Sequence, residues 1–229
     1  MPRPLPLTCK GLPVPYIAAW SNERLPRPTV VTAKEGIAFA DALGANGHAQ
    51  GRDRDGVLWK RWALRRGDGE AEFDVVHAPR QKRAMRKLLC QVCGGPSDEN
   101  EEGRLFLLED YRGVEGWPER EVTVHPPLCR PCAPLAARLC PHLRGKVVAV
   151  RARQVSIDGV YGDVYRRSDG PFPVLAEKEQ VVFTDDWRRK WMVGAQLAAT
   201  LTGCTVVDLA ELGVETAVRT CPVRTGSAA

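Results

Sequence analysis

The chain has 229 residues, of which 44% are hydrophobic and 27% are charged, so its composition is that of a globular protein rather than a disordered one. No apolar run approaches the roughly 18 residues that a membrane-spanning helix needs, and the N-terminus lacks the apolar core of a signal peptide. We therefore expect a cytoplasmic protein without a membrane partner. The formal net charge of +5 permits a nucleic-acid partner without demanding one.

The N-terminal third predicts a small β-rich segment behind a proline-rich start. Residues 1–28 hold seven of the 18 prolines, which indicates extended chain that lies over the surface or forms an edge strand. Residues 16–20 inside this stretch are apolar enough to anchor it to a core. Alternating or β-branched runs then predict strands at residues 30–31, 57–64 and 72–76. We assign residues 1–78 to this segment.

The next feature is a strongly basic helix. Residues 79–89 place their apolar members on one helical stripe, and cations cover the rest of the surface. These five cations, with no acidic residue among them, are Arg80, Lys82, Arg83, Arg86 and Lys87. One interpretation is a face that binds nucleic-acid phosphates. The other is a solvated face whose charge is balanced by the acidic residues at 98–102.

Four of the eight cysteines form two Cys-x-x-Cys pairs, Cys90 with Cys93 and Cys129 with Cys132, separated by 35 residues. Without an export signal such pairs are more typical of metal ligands than of disulfides. Two thiolates from each pair complete a closed tetrahedron around one Zn²⁺. The glycines that follow Cys93 allow the backbone turn in which amides point at the sulfurs. The spacing therefore predicts one structural zinc ion.

The segment between the pairs indicates which zinc fold to expect. Residues 104–108 and 120–124 read as two strands of a hairpin with a wide loop, and residues 133–139 read as a helix that begins at the second pair. A treble-clef finger has a knuckle, a hairpin and a ligand-bearing helix in that order along the chain. Residues 88–143 resemble such a finger. That resemblance implies a fold and no particular function, because such fingers serve many roles. We assign residues 79–145 to the basic helix and this finger.

Three further residues in or near the finger, besides the four cysteines, are candidates for supporting roles at the metal site. His125 lies close to the ligands in sequence and is predicted to hydrogen-bond near them. Cys140 is expected to be a buried structural thiol. Whether Cys140 or His142 contributes to the metal site is left open by their spacing.

The C-terminal part predicts a further α+β segment at residues 146–218, packed with the first segment as one unit, and a tail at 219–229. Asp158-Gly159 is typical of a hairpin turn, which predicts separate strands at 146–155 and 159–165. Strands are also predicted at 181–183 and 205–208. Residues from 184 onward predict a helix whose apolar stripe places Trp187, Trp191, Ala195 and Ala198 in the core. The alternative interpretation of these tryptophans is a base-stacking platform.

The sequence gives little support for a known arrangement of catalytic residues. His-Me nucleases carry a similar finger, but their His pair belongs in the first hairpin strand, where this chain has residues 105–108 without one. Zinc deaminases need a His-x-Glu motif and an open zinc position, and four cysteines leave none. Phosphate-loop, dinucleotide and serine-elbow motifs are absent from the sequence. We assign no catalytic residue and no small-molecule substrate, and incline against an enzyme.

The phrases RKLLCQVCG and RLCPHL resemble uncharacterised actinobacterial and phage-encoded proteins with a central zinc finger. This resemblance implies a lineage and no particular activity. A prophage or accessory-gene origin would be compatible with regulation of host or phage DNA transactions. The sequence thus predicts an α+β protein in which β-rich segments flank a central four-cysteine zinc module. Its first functional hypothesis is nucleic-acid binding through the basic helix. The alternatives are a protein-interaction module with a purely structural zinc, contacting partners through the proline-rich start and the 109–118 loop, and, less favoured, a metal-dependent nuclease using His125.

Overall fold

The computed structural model describes residues 6–139 and 146–212. The N-terminal strands are β1 (Leu7–Cys9), β2 (Leu12–Val14), β3 (Ala18–Trp20), β4 (Val30–Ala33), β5 (Gly36–Phe39), β6 (Leu58–Trp59) and β7 (Ala71–Val76). The elements that follow are α1 (Ala78–Arg86), β8 (Glu99–Asn100), β9 (Gly103–Glu109), β10 (Val122–Thr123), α2 (Ala133–Leu139), β11 (Val147–Arg166), β12 (Val174–Phe183) and β13 (Met192–Val207). Short 3₁₀ helices span Ser21–Glu23, Ala40–Ala42, Arg130–Cys132, Trp187–Trp191 and Leu209–Leu212. With two α-helices among the described residues, the fold is a strand-rich α+β one.

Two long strands, β11 and β13, form the centre of the main sheet. They pair antiparallel from Ala149 with Val207 to Val164 with Met192. In the described residues this sheet has seven strands in the order β10-β13-β11-β9-β8, with β12 also beside β11 and β6 parallel to β13. The small pairs β1-β2, β3-β7 and β4-β5 lie outside it. A strand from the N-terminal segment therefore joins a sheet built mainly from the C-terminal one.

Helix α1 packs against the sheet through a buried glutamine. Gln81 donates from Nε2 to the carbonyl oxygens of Val124, at 2.7 Å, and Leu197, at 2.8 Å. Its Oε1 accepts from the Leu197 amide at 2.9 Å. Met85, one helical turn further on, is fully buried in the cluster around Val160 and Leu197. These contacts fix which side of α1 faces solvent, because residues three to four apart share a helix face.

The predicted strands at 30–31 and 72–76 are confirmed by β4 and β7, and the predicted strand at 57–64 is reduced to β6. The predicted hairpin at Asp158-Gly159 is wrong, because residues 147–166 form one continuous strand. Gly159 lies at a register shift in the pairing with β13. A side chain there would approach Val181 and Ala198 at 3.0 and 3.1 Å, so the glycine serves a bulge and a close strand crossing rather than a turn.

The predicted helix after residue 184 is also wrong beyond its first turn. The 3₁₀ helix ends at Trp191, and β13 begins at the next residue. The small residues in this part of β13, such as Gly194 and Ala198, allow close packing in the sheet. A side chain at Gly194 would approach Val160, Trp59 and Val57 at 2.9–3.1 Å. Pairing with β11 and β10 thus overrides local helix propensity. The predicted strand at 205–208 is the end of β13, and the one at 181–183 is the end of β12.

The two strands predicted to form the finger's hairpin are both present as β9 and β10, but they do not pair with each other. β10 pairs with β13, with Val122 opposite Thr200, while β9 pairs with β11. The order of knuckle, strands and helix is retained, and the main sheet takes the place of the local hairpin. In the described part of the chain, no helix has the length and apolarity needed to cross a membrane. The predictions for Cys140, His142 and the tail at 219–229 lie outside the described residues.

Candidate functional site

Four cysteine side chains from two distant parts of the chain meet at one buried point. Cys90 and Cys93 lie in the turn that follows α1. Cys129 caps the start of the 3₁₀ helix before α2, and Cys132 is the last residue of that helix. Their sulfur atoms all lie within 4.8 Å of one another. Among the described residues, no other group of three or more His, Cys, Asp or Glu side chains converges in this way. The four cysteines are positioned to bind a metal ion.

The spacing of the sulfurs tests which coordination the cluster fits. The Sγ atoms of Cys93 and Cys129 are 3.8 Å apart. A tetrahedral site with Zn–S bonds of about 2.3 Å has edges of about 3.8 Å. A disulfide would need sulfurs about 2.05 Å apart, and the six described cysteines are all free thiols. The donor set therefore fits a closed four-thiolate metal site.

Backbone hydrogen bonds shape the first ligand turn. The Cys90 amide donates to the Gly95 carbonyl at 2.7 Å, and the Gly94 amide donates to the Cys90 carbonyl at 2.8 Å. Gly94 has φ of +74°, and a side chain there would approach the Tyr16 ring at 2.7 Å. The Gly95 amide also donates to the Cys93 thiolate. This turn is the one that the glycines after Cys93 predict.

Hydrogen bonds within the cluster favour the ionised form of two of the four sulfurs. Hydrogen bonding from Cys129 holds the pKa of the Cys93 thiol below its ordinary value. Hydrogen bonding from Cys132 lowers the pKa of Cys129 in the same way. The thiolate is the form that binds metal, so two of the four ligands are prepared for it by their neighbours. The pKa values of Cys90 and Cys132 are raised, chiefly by hydrogen bonding with Cys129. A bound cation would compensate the charge of these two ligands and release their protons.

The two ligand pairs are tied together through the sheet. The Leu128 amide donates to the Leu105 carbonyl in β9 at 2.8 Å, and the Gln91 amide donates to the Pro127 carbonyl at 3.0 Å. All four ligands belong to one apolar cluster that also contains Leu105 and Leu135. His125 is exposed, and its backbone amide donates to Thr123 Oγ1 at 3.1 Å. A hydrogen bond from its side chain to a ligand stays a prediction.

The five basic residues of α1 separate into two groups. Arg80 is only 7% exposed and forms an ion pair with the fully buried Glu23, with Nη1 to Oε1 at 2.5 Å and Nη2 to Oε2 at 2.6 Å. Its Nη2 also donates to the Ala18 carbonyl at 2.6 Å. The expectation that Arg80 lies on the cationic surface is therefore wrong. Residue 80 is one position from Gln81, on the side of the helix that the N-terminal segment covers.

The other four basic residues of α1 line a shallow cavity of about 350 Å³. We call it the basic groove, and its lining also includes Trp59 and Lys60 from the end of β6 and Ala78 and Pro79 from the start of α1. Among the residues that the structure describes, no acidic side chain contributes to this lining. Lys82 extends over the indole of Trp59, with Nζ 3.7 Å from the ring centroid. The groove thus combines five cations with one aromatic floor.

Ion pairs at the edges of the groove compensate part of this charge. Arg86 lies 3.3 Å from Asp55 and 3.8 Å from Asp53, and Lys60 lies 3.6 Å from Asp163. Within the described ranges, no carboxylate lies within 4.0 Å of Lys82, Arg83 or Lys87. Burial lowers the pKa of Lys82 to about 8, against the attraction of Asp53. An anion bound beside Lys82 would remove that penalty.

Sequence reasoning missed three contributors to these sites. Trp59 and Lys60 come from a strand, and only the parallel pairing of β6 with β13 brings them beside α1. Glu23 lies in a short 3₁₀ helix of the proline-rich start, where no pattern marks it as a partner of Arg80. A separate prediction, that Trp187 is buried in the core, is wrong, because its side chain is 73% exposed.

Comparison with known proteins identifies no relative. No protein-family model matches the chain, and neither does any curated protein or solved structure. The resemblance to actinobacterial and phage-encoded proteins stays a prediction.

Proposed function

We propose that the chain is a zinc-stabilised nucleic-acid-binding module with an accessory or regulatory role. In this account Cys90, Cys93, Cys129 and Cys132 hold one structural Zn²⁺, and the basic groove contacts the phosphate backbone. The observation that carries the proposal is the groove itself, in which cations converge without an acidic neighbour in the lining. Phosphate contacts of this kind supply most of the affinity in nucleic-acid binding without requiring base recognition.

Zinc is the metal that best suits the ligand set. Four thiolates in a tetrahedron are typical of structural zinc, and a closed site leaves no position for a reacting water. The ion would hold the turn after α1 against β9 and α2, because its ligands come from both pairs. Its role is then to fix where α1 ends, and with it the orientation of the groove.

The test is binding of labelled DNA and RNA over a salt series. Wild-type protein is expected to bind with an affinity that falls steeply as salt rises, since each phosphate contact releases counterions. Reversing the charge of Lys82, Arg83 and Lys87 to glutamate should abolish binding, or lower the slope of log affinity against log salt by about 3. Zinc content and melting temperature should stay unchanged in this variant.

The matched control reverses three exposed cations elsewhere, Arg166, Arg167 and Lys178, which changes the net charge equally. These residues lie at the β11-β12 hairpin and line no part of the groove. Binding that survives the groove reversal, or that both triple variants lose alike, would contradict the proposal.

A second candidate function is a protein-interaction module. The observation that favours it is the 109–118 loop, in which Tyr111 and Val114 are exposed. Tyr111 packs edge-to-face on Trp117, with ring centroids 6.5 Å apart, so its position is fixed. This version predicts a protein partner that co-purifies with little sensitivity to salt and is lost on Tyr111→Ala.

A further inference from the structure

Another cavity among the described residues is linked to the basic groove by a hydrogen bond. It has a volume of about 400 Å³ and is lined by parts of residues 35–56 and 184–190. We call it the tryptophan cavity, after Trp187. Asp55 and Gly56 belong to its lining, and Asp55 accepts a hydrogen bond from Arg86 of the basic groove at 3.3 Å. This hydrogen bond links the linings of the two cavities, which share no residue among those described.

Trp187 is unusual among the tryptophans because most of its surface contacts solvent. It is 73% exposed, although a tryptophan side chain is among the largest apolar groups that a protein can bury. It begins a 3₁₀ helix whose next three residues are Arg188, Arg189 and Lys190. The Asp186 side chain caps that helix by accepting from the Arg188 amide at 2.8 Å. The backbone that carries the indole is thus held in place.

Charges around the tryptophan cavity are largely paired. Lys190 bonds Glu35 at 3.0 Å, and Arg188 bonds Asp186 at 2.6 Å. Arg52 donates to three backbone carbonyls, those of Ile37, Gly56 and Lys190, at 2.5–2.9 Å. In the described part of the chain, no carboxylate lies within 4.0 Å of Arg52 or Arg189. Asp185 adds an unpaired negative charge to the same lining.

This arrangement differs from the basic groove in the ligand it suits. A phosphate would meet Asp185 and the carboxylates of paired residues, whereas a flat uncharged ring meets the exposed indole without that repulsion. Nucleobases stack on exposed aromatic side chains regardless of their identity, and only unpaired bases offer a free face. A strand whose phosphates lie in the basic groove can place a base at Trp187, because Asp55 of the tryptophan cavity is hydrogen-bonded to Arg86 of the groove.

We infer that Trp187 is a stacking platform for an unpaired base, and that the protein therefore prefers single-stranded to double-stranded nucleic acid. This inference rests on the proposed function, since the basic groove must first hold the backbone. It adds a ligand class that the groove alone does not specify, because a cationic groove attracts duplex and single strand alike.

The experiment compares fluorescein-labelled oligo(dT) with an oligo(dA)·oligo(dT) duplex of the same length. Trp187→Ala should weaken oligo(dT) binding about tenfold and leave duplex binding unchanged, because one stacking contact is lost. Trp187→Phe keeps an aromatic face and should restore most of the affinity. Tyr111→Ala, which removes an exposed aromatic outside both cavities, should change neither affinity.

Tryptophan fluorescence gives an independent readout. Oligo(dT) should quench wild-type emission, and the quenching should be smaller in Trp187→Phe, which still binds and keeps Trp59 in the basic groove. If the wild type binds both ligands and Trp187→Ala changes neither affinity, or weakens both equally, the inference is overturned while the proposed function stands. If the wild type binds neither ligand at low salt, the proposed function fails and the stacking platform with it.

Discussion

Arg80 and Arg83 lie three residues apart on one helix and have opposite surroundings. Arg83 is exposed in the basic groove, whereas Arg80 meets Glu23 in the interior. Glu23 is further tied down by amides, with the Trp20 amide donating to Oε2 at 3.0 Å. Burial alone would raise the pKa of Glu23, but the hydrogen bond and charge of Arg80 outweigh it and hold the pKa below its ordinary value. At the residue scale this pair fastens the proline-rich start to α1.

Removing Arg80 is expected to destabilise the protein rather than to weaken a surface contact. Arg80→Ala leaves the Glu23 carboxylate buried without its arginine partner, which costs about 3–5 kcal/mol of unfolding free energy. Arg83→Ala should change the unfolding free energy by less than about 0.5 kcal/mol and weaken nucleic-acid binding instead. Urea denaturation measures the unfolding free energy of both variants and so checks both expectations. A normally stable Arg80→Ala protein with reduced nucleic-acid affinity would refute this division of roles.

Under the proposed function, Lys82 is expected to make nucleic-acid binding depend on pH near the pKa of its own side chain. Its pKa is lowered to about 8, chiefly by burial, and a phosphate beside it would raise that value. The bound form then holds its proton to higher pH than the free form. Affinity is therefore constant below about pH 8 and falls above it, by up to about tenfold at pH 9. Binding is measured at pH 7 and pH 9 at constant ionic strength.

The matched variant for this titration is Lys82→Arg, because a guanidinium stays charged throughout this range. Its affinity should be nearly the same at both pH values. An equal loss of affinity in wild type and in Lys82→Arg would assign the pH dependence to another group.

At the scale of elements, local signals were predictable and long-range pairing was not. The Cys-x-x-Cys turns depend on a few adjacent residues, so their spacing indicated correctly that Cys90, Cys93, Cys129 and Cys132 converge. Helix α1 was predictable for the same reason, although it ends at Arg86 and Leu88 takes a φ of +48°. Arg80 could not be placed, because its partner lies 57 residues away in a segment without a helical or strand pattern.

The errors in the C-terminal part share one cause. Asp158-Gly159 and residues 192–199 carry local signals for a turn and a helix, and both lie in strands of the main sheet. The dominant constraint there is the close crossing of strands at glycine and alanine, which only the assembled sheet reveals. The wrong prediction that Trp187 is buried has the same origin. Trp187 begins a short 3₁₀ helix instead of an amphipathic α-helix, and its side chain is exposed to solvent.

At the scale of the whole molecule, the cysteine cluster joins parts that are distant in sequence. The Tyr16 amide of the proline-rich start donates to the Val92 carbonyl between the first two ligands, at 2.8 Å. Leu212, at the other end of the described chain, packs in the same apolar cluster as the ligands. Metal loss would therefore loosen both ends of the molecule along with the turn after α1, and with it the basic groove.

The measurement that tests this account most directly is native mass spectrometry of the purified protein, combined with thermal unfolding. One zinc ion per chain is predicted for the wild type and for Cys204→Ser, whose thiol lies outside the cluster. Cys93→Ser should lack the ion and unfold at a much lower temperature, because binding of a structural zinc contributes on the order of 10 kcal/mol to folding. A metal-free wild type that unfolds at the same temperature as Cys93→Ser would contradict the account.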